Sequence, residues 1–137
     1  MTVKGVYTGE AWEDIGATLI ARFASVFGSG AASPDTTEGN LIQQSDVSSI
    51  SVKVFDSDGA QIGSTLTPAA SSVIFDTIQT SGTWGNLQRG GNFRYSVDGT
   101  YFPTGGTTNR VEVIITLTDG HKLPAVWTLT VVELKGS

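Results

Sequence analysis

The feature that most constrains the fold is the alternation of apolar and other residues along residues 110–132. Two apolar series flank the dipeptide Asp119-Gly120, which is a frequent turn sequence between antiparallel strands. The first series is Val111, Val113, Ile115 and Leu117, and the second is Leu123, Ala125, Trp127, Leu129 and Val131. Because successive side chains of a strand point to opposite faces of its sheet, each series predicts a strand with one buried face. The stretch therefore predicts a β-hairpin that contributes Trp127 to the core.

A second hairpin is predicted over residues 47–66, with its turn at 56–59. Its inward residues are Ile50, Val52 and Val54 on the first strand, and Ile62 and Leu66 on the return strand. Shorter strands are predicted over 3–8, 73–78 and 92–97, where apolar and β-branched residues are bounded by turn residues.

The segment 15–27, IGATLIARFASVF, fits two patterns. As a strand it places on one face Ile15, Ala17, Leu19, Ala21, Phe23 and Phe27. As an amphipathic helix it places on one face Ile15, Leu19, Phe23, Val26 and Phe27. We favour the strand, because predicted strands lie on both sides of it, and keep the helix as the alternative.

Composition points to an all-β protein. The chain has 137 residues, 17 of them Gly, and only 15% charged residues, which is typical of short strands joined by turns. About eight strands without alternating helices predict a two-sheet antiparallel β-sandwich of the immunoglobulin-like or jelly-roll kind, with a closed small barrel as the alternative. We expect a single domain over residues 1–137, with a flexible loop or arm at 28–40, where Gly, Ser, Thr and Pro replace any apolar periodicity.

Charge and cysteine content bear on the partners. The chain contains no Cys, so it has neither a disulfide nor a thiolate metal site. Its formal net charge is −5 and its eight basic residues are scattered, which predicts no binding to nucleic acid. The start MTVKGVYTGEAWED lacks the apolar core of a secretory signal, and no apolar run is long enough for a membrane span, so we expect no membrane partner.

Residues with catalytic or metal-binding chemistry do not form a known pattern. The single histidine, His121, lies at the predicted turn exit, where Asp119 is the nearby carboxylate. Asp56 and Asp58 precede Gly59 as in a calcium loop, but Ala60 stands where a further ligand is expected, so this stretch predicts a hairpin turn. We expect no catalytic, cofactor-binding or metal-binding residue, no cofactor and no enzymatic activity.

A family resemblance rests on three stretches, IQQSDVSSISVKVFDSDG, VIFDTIQTSGTW and NFRYSVDGTYFPTGGTTNRVEVIITLTDG. Together with the strand at 15–27, they resemble small immunoglobulin-like proteins of tailed bacteriophage virions, akin to the N-terminal module of baseplate upper proteins. The resemblance implies a one-domain structural component of the virion, made in the cytoplasm of the bacterial host. Among such components a capsid decoration, or cement, protein that binds the outside of the head shell is the leading expectation.

Two alternatives remain open. One is a neck, tail or baseplate adaptor of the same fold, and the other is a carbohydrate-binding module that uses exposed aromatic residues. For a virion protein the implied partners are other virion proteins, the major capsid protein first, and further copies of the chain in a dimer or trimer. The candidate partner-binding residues lie in loops and are Ser33, Pro34, Asp35, Thr36, Trp84, Tyr101 and Phe102.

Overall fold

Strands dominate the described part of the chain, which comprises residues 5–35, 37–87 and 89–135 of a computed structural model. The strands are β1 Val6–Trp12, β2 Gly16–Ala21, β3 Ala24–Ser25, β4 Asn40–Leu41, β5 Val47–Phe55, β6 Gln61–Leu66, β7 Ile74–Gln79, β8 Gly91–Asp98, β9 Thr108–Leu117 and β10 Lys122–Val132. One short helix, α1, spans Ala70–Val73, and three 3₁₀ turns span Gln44–Asp46, Gly82–Asn86 and Gly99–Tyr101 in these described residues. The all-β prediction is confirmed.

Both predicted hairpins are present. Strands β9 and β10 pair antiparallel around the Asp119-Gly120 turn, and the predicted inward residues of both strands are buried except Leu123, which is half-buried. Strands β5 and β6 pair around residues 56–59, and the carboxylate of Asp56 accepts hydrogen bonds from two backbone N–H groups of that turn. Alternation and turn residues therefore predicted both hairpins correctly. Ile50, Val52 and Val54 are buried as predicted, whereas Ile62 and Leu66 on β6 are only half-buried.

The predicted first strand lies further along the chain than expected. Strand β1 covers Val6–Trp12 rather than 3–8, and residues 3 and 4 lie outside the described residues. It pairs in parallel with β10, from Val6 opposite Val126 to Trp12 opposite Val132. The prediction of a purely antiparallel fold is therefore wrong for this pair, because alternation shows which face of a strand is buried but not the direction of its neighbour.

The larger sheet is curled, and side chains of β8 and β10 contact each other across it. Eight of the described strands form one mixed sheet in the order β6-β5-β9-β10-β1-β2-β8-β7, while β3 pairs with β4 alone. Among the described residues, β1 and β2 are paired at one position only, where Trp12 lies opposite Gly16. Away from that point the sheet folds over, and the ring of Phe93 on β8 lies 6.2 Å from that of Trp127 on β10.

The tight connection between β1 and β2 depends on unusual backbone angles. The N–H of Ile15 donates to the carbonyl of Trp12 at 3.0 Å, which closes the turn. Asp14 has a φ of 58°, and Gly16 has a φ of 124° where a Cβ atom would lie 2.3 Å from the carbonyl oxygen of Val97. Glycine is therefore required at position 16, since it has no Cβ and tolerates positive φ.

The segment 15–27 is extended but interrupted. It forms β2 and β3, so the helical alternative is wrong, and Leu19 and Phe23 are buried as predicted. Ile15 and Phe27 were expected on the buried face, yet both are exposed. Ile15 lies in the β1–β2 turn, and Phe27 lies in a second turn that the N–H of Gly28 closes on the carbonyl of Ser25 at 2.9 Å.

No helix within the described residues is long and apolar enough to cross a membrane.

Candidate functional site

The segment 28–40 is held against the end of β2 by an ion pair. The Arg22 guanidinium donates through Nε to Oε1 of Glu38 at 2.7 Å and through Nη2 to Oε2 at 3.3 Å. Its Nη1 donates to the carbonyl of Gly90 at 3.0 Å. Both charged side chains are largely buried, and a two-point pair of this kind fixes geometry as well as charge. Whether the segment is flexible, as the sequence suggests, stays a prediction.

The candidate residues of this segment differ in accessibility. Ser33 is buried and its hydroxyl donates to Glu38, so its side chain supports the ion pair rather than facing a partner. Pro34 is exposed, and Thr36 lies outside the described residues. Asp35 accepts hydrogen bonds from the side chain and backbone of Thr37, and these bonds lower the pKa of its carboxyl group. Pro34 and Asp35 are therefore the members of this group that a partner can reach.

The candidate residue Trp84 is buried. Its side chain is 5% exposed and packs edge-on against Phe75 at a centroid distance of 5.4 Å. The Arg94 guanidinium lies 5.9 Å from the Trp84 ring and 5.4 Å from the Phe75 ring. The turn Gly82–Asn86 folds the indole back onto the sheet, so its face is not available as a sugar-stacking platform.

Phe102, another candidate partner-binding residue, has a side chain that is fully buried in the core, so a partner cannot reach it. The turn Gly99–Tyr101 directs it inward, and its carbonyl accepts a hydrogen bond from the N–H of Asp14 at 3.1 Å. Tyr101 is half-buried and its hydroxyl donates to the carbonyl of Ser64 at 3.4 Å. Phe102 therefore stabilises the β1–β2 turn, and Tyr101 contacts β6.

The candidate residues do not come together in one site. Ser33, Pro34 and Asp35 follow the last residue of β2, whereas Tyr101 and Phe102 follow Asp98, which pairs with the first residue of β2. They therefore lie toward opposite ends of the domain, and Trp84 lies on the connection between β7 and β8.

Two exposed apolar groups were missed. One is the apolar tip, which we define as Val26 and Phe27, where the Phe27 ring stacks on His121 at a centroid distance of 3.8 Å. The other consists of Trp12, the last residue of β1, and Ile15 in the turn that follows. The exposure of Trp12 could have been predicted from the sequence. Residues two positions apart in a strand point to the same face, and Trp12 follows the polar residues Thr8 and Glu10 at this spacing.

Asp46 ties the start of β5 to the segment 28–40. Its Oδ2 accepts hydrogen bonds from the N–H of Gln43 at 2.9 Å, from the N–H of Ser29 at 2.9 Å and from the Ser29 hydroxyl at 3.0 Å. Partial burial raises the pKa of this carboxyl group, but the hydrogen bonds from Gln43 and Ser29 outweigh it and the pKa is lowered.

This lowered pKa predicts a loss of stability in acid. A carboxyl group with a folded-state pKa below its unfolded value of about 3.9 stabilises the fold above that value, and the contribution disappears as the pH falls through the folded-state pKa. We expect Asp46→Asn to lower the free energy of unfolding at pH 7 by about 0.5–1 kcal/mol, a small effect because solvent screens the site. The difference between the two proteins in urea titrations should shrink as the pH falls through the folded-state pKa of Asp46.

The control for that titration is Asp58→Asn, which changes the net charge equally in the exposed β5–β6 turn and should leave stability at pH 7 unchanged. A difference between wild type and Asp46→Asn that persists at pH 2 would contradict the titration of Asp46 as its cause.

The turn between β9 and β10 brings together His121 and Asp119. The Asp119 carboxylate accepts the backbone N–H of His121 at 3.0 Å and lies 3.0 Å from its Nδ1, and these contacts lower the pKa of Asp119. Both side chains are about half exposed. Among the described residues no group of three or more His, Asp or Glu side chains is placed to hold a metal ion.

Comparison of the chain with protein-family models, with curated proteins and with solved structures finds no match.

Proposed function

We propose that the protein is a non-enzymatic structural component of a tailed-phage virion, and that it acts as a capsid decoration protein on the outside of the head shell. In this proposal the curled sheet is an immunoglobulin-like sandwich, the chain is made in the host cytoplasm, and the major capsid protein is its main partner. Further copies of the chain are the second kind of partner.

The strand order supports the immunoglobulin-like part of this proposal. Numbered along the chain, β2-β8-β7 corresponds to strands B, E and D of one immunoglobulin sheet, and β10-β9-β5-β6 corresponds to strands G, F, C and C′ of the other. Strand β1 then takes the place of strand A but pairs with G. This correspondence supports an immunoglobulin-like arrangement, while the virion assignment depends on the sequence resemblance and on the surface described next.

The observation that carries the attachment proposal is the apolar tip. The side chains of Val26 and Phe27 are 77% and 46% exposed, although large apolar residues bury favourably. Asp46 and the Arg22–Glu38 pair hold the neighbouring segment 28–40 in place. A partly rigid apolar tip beside a polar segment has the composition of a protein-binding surface, with an apolar centre and a polar rim.

The decisive experiment is the copy number of the protein in purified particles, measured by quantitative mass spectrometry. A decoration protein is expected in hundreds of copies in the head fraction. A dozen copies or fewer in the tail fraction would support the adaptor alternative, and absence from particles would overturn the virion assignment.

Phe27→Asp tests the attachment surface directly. Because the side chain is exposed, we expect the domain to remain folded while its binding to particles that lack the protein weakens at least about tenfold. The control is Ile15→Asp, which places the same charge on an exposed apolar residue at the opposite end of the domain. Equal loss of binding in a sedimentation assay for both variants would contradict a contact at the apolar tip.

A further inference from the structure

We propose that the protein forms a symmetric dimer in which Trp12 of each copy enters a groove on the other copy. The proposal deepens the proposed function, because it names the surface through which copies of the chain associate. It rests on that function only for the expectation of self-association. Its test uses the isolated protein, so its outcome is independent of whether the protein is found in virions.

The surface concerned is the outer face, which we define as the side of β5, β9, β10 and β1 that points away from the core. Strand register aligns its residues in rows across the four strands. One row is Phe55, Arg110, Thr128 and Thr8, and the next row is Lys53, Glu112, Val126 and Val6. Trp12 lies on the same face at the end of β1, opposite Val132.

A groove of about 470 Å³ opens on this face. Its lining includes the side chains of Phe55, Thr108, Arg110, Glu112 and Thr128. The groove combines an aromatic ring, a guanidinium group and the methyl groups of threonines, which together suit the face and edge of an indole ring.

Trp12 is a large exposed residue on the same face. Its side chain is 48% exposed, whereas Trp84 and Trp127 are buried. Tryptophan is enriched among the residues that contribute most to binding at protein interfaces. The outer face therefore carries both a protruding aromatic residue and a groove of suitable size and chemistry.

Trp12 cannot fill the groove of its own chain. Strand β10 separates β1 from β9, which places the two strands about 10 Å apart. Trp12 also lies four residues beyond Thr8, the residue of β1 in the row of Arg110, and this adds about 13 Å along the strand. Because both features lie on one face, a two-fold axis allows each copy to place its Trp12 in the groove of the other.

The charges near the two features are complementary. Glu10 precedes Trp12 by two residues on the outer face, so it approaches the rim of the partner's groove when Trp12 enters. Arg110 lies at that rim and donates through Nε to Glu112 at 2.6 Å, and its terminal nitrogens form no hydrogen bond within the described residues. Asp56, the other acidic residue of the lining, accepts backbone N–H groups of its own turn. The dimer therefore pairs each Glu10 with an Arg110.

The available area fits a dimer of ordinary size. The four strands of the outer face and β6 beside them have 6 to 11 residues each and lie about 4.8 Å apart, which gives roughly 700 Å² in total. Stable interfaces commonly bury about 800 Å² from each partner. The outer face is thus large enough to serve as one isologous interface.

Sedimentation equilibrium of the isolated protein tests this arrangement. We expect wild type to be a dimer at about 100 µM, and Trp12→Ala to weaken association at least about 30-fold. Thr18→Ala is the control, because Thr18 is exposed on β2 and lies outside the outer face, and this variant should associate like wild type. A monomeric or trimeric wild type, or equal association of wild type and Trp12→Ala, would overturn the dimer.

A charge exchange tests the pairing of Glu10 with Arg110. Glu10→Arg and Arg110→Glu should each weaken the homodimer about tenfold or more, because each places like charges opposite each other twice. A mixture of the two variants should form a heterodimer with the affinity of wild type, since one contact is native and the other is reversed but still attractive. Failure of the mixture to associate, with both variants folded by circular dichroism, would overturn this interface.

Discussion

Replacing Trp127 by Ala is expected to lower the free energy of unfolding by about 3–5 kcal/mol. The Trp127 side chain is 4% exposed, stacks on Tyr7 at a centroid distance of 5.1 Å and lies 6.2 Å from the ring of Phe93. Its ring thus joins β1 and β10 to β8 across the curled sheet, and truncation leaves a cavity at the point where these strands pack together. Since a domain of this size is stable by only about 5–15 kcal/mol, the loss is a large share of the total.

The measurement is a urea titration that compares unfolding midpoints and slopes. Trp12→Ala provides the matched control, because the same atoms are removed from a half-exposed residue, and it should cost less than about 1 kcal/mol. Both variants should be measured at the same low protein concentration, so that self-association contributes little to stability. A cost below about 1 kcal/mol for Trp127→Ala would contradict its role in the core.

The burial of Trp127 was predictable because the information is local. On β9 and β10 every second residue is apolar on both sides of an Asp-Gly turn, so the register and the buried face follow from the sequence. The same holds for Ile50, Val52 and Val54 on β5. The partner of β1 was not predictable, because residues 6–12 and 126–132 are far apart in the chain and their pattern does not encode a parallel pairing.

The candidate site was predicted less well than the fold, for a physical reason. Trp84 and Phe102 lie in stretches with the composition of exposed loops, and such composition is a statistical indication of exposure. Each residue is instead buried next to a short 3₁₀ turn that reverses the chain over the sheet. What covers a loop side chain depends on tertiary contacts such as that between Trp84 and Phe75, and no local pattern contains them.

Asn92 was not singled out in the sequence, yet its side chain makes three buried hydrogen bonds to the backbone. Its Oδ1 accepts the N–H of Phe23 at 2.7 Å, and its Nδ2 donates to the carbonyls of Phe23 at 3.0 Å and Ile42 at 3.1 Å. The side chain is fully buried on β8. Phe23 and Ile42 lie on either side of the β3–β4 pair, and the N–H of Ile42 also donates to the carbonyl of Phe23 at 3.1 Å. The Asn92 amide therefore reinforces a backbone contact that joins the two ends of this segment.

We therefore expect Asn92→Ala to lower the free energy of unfolding by about 3 kcal/mol, since the buried N–H of Phe23 and the carbonyl of Ile42 lose their hydrogen bonds to the Asn92 side chain. The control is Asn109→Ala, in which a buried asparagine loses a 3.3 Å bond to the Tyr101 carbonyl, and the expected cost is about half as large. Limited proteolysis should also show faster cleavage within residues 28–40 for the Asn92 variant alone. Equal costs for the two variants, with unchanged cleavage, would contradict the anchoring role of Asn92.

Asn92→Asp provides a pH-dependent form of the same test. An aspartate here keeps an acceptor for the Phe23 N–H but turns its second oxygen toward two carbonyl groups, so burial and these acceptors raise the pKa of the new carboxyl group. A raised folded-state pKa means that the variant is most stable below the unfolded value of about 3.9 and loses stability as the pH rises through the folded-state pKa. Relative to wild type, urea titrations should show a larger deficit at pH 7 than at pH 4. A deficit independent of pH would show that the cost comes from altered packing, and that the two donated hydrogen bonds do not reinforce the contact between residues 23 and 42.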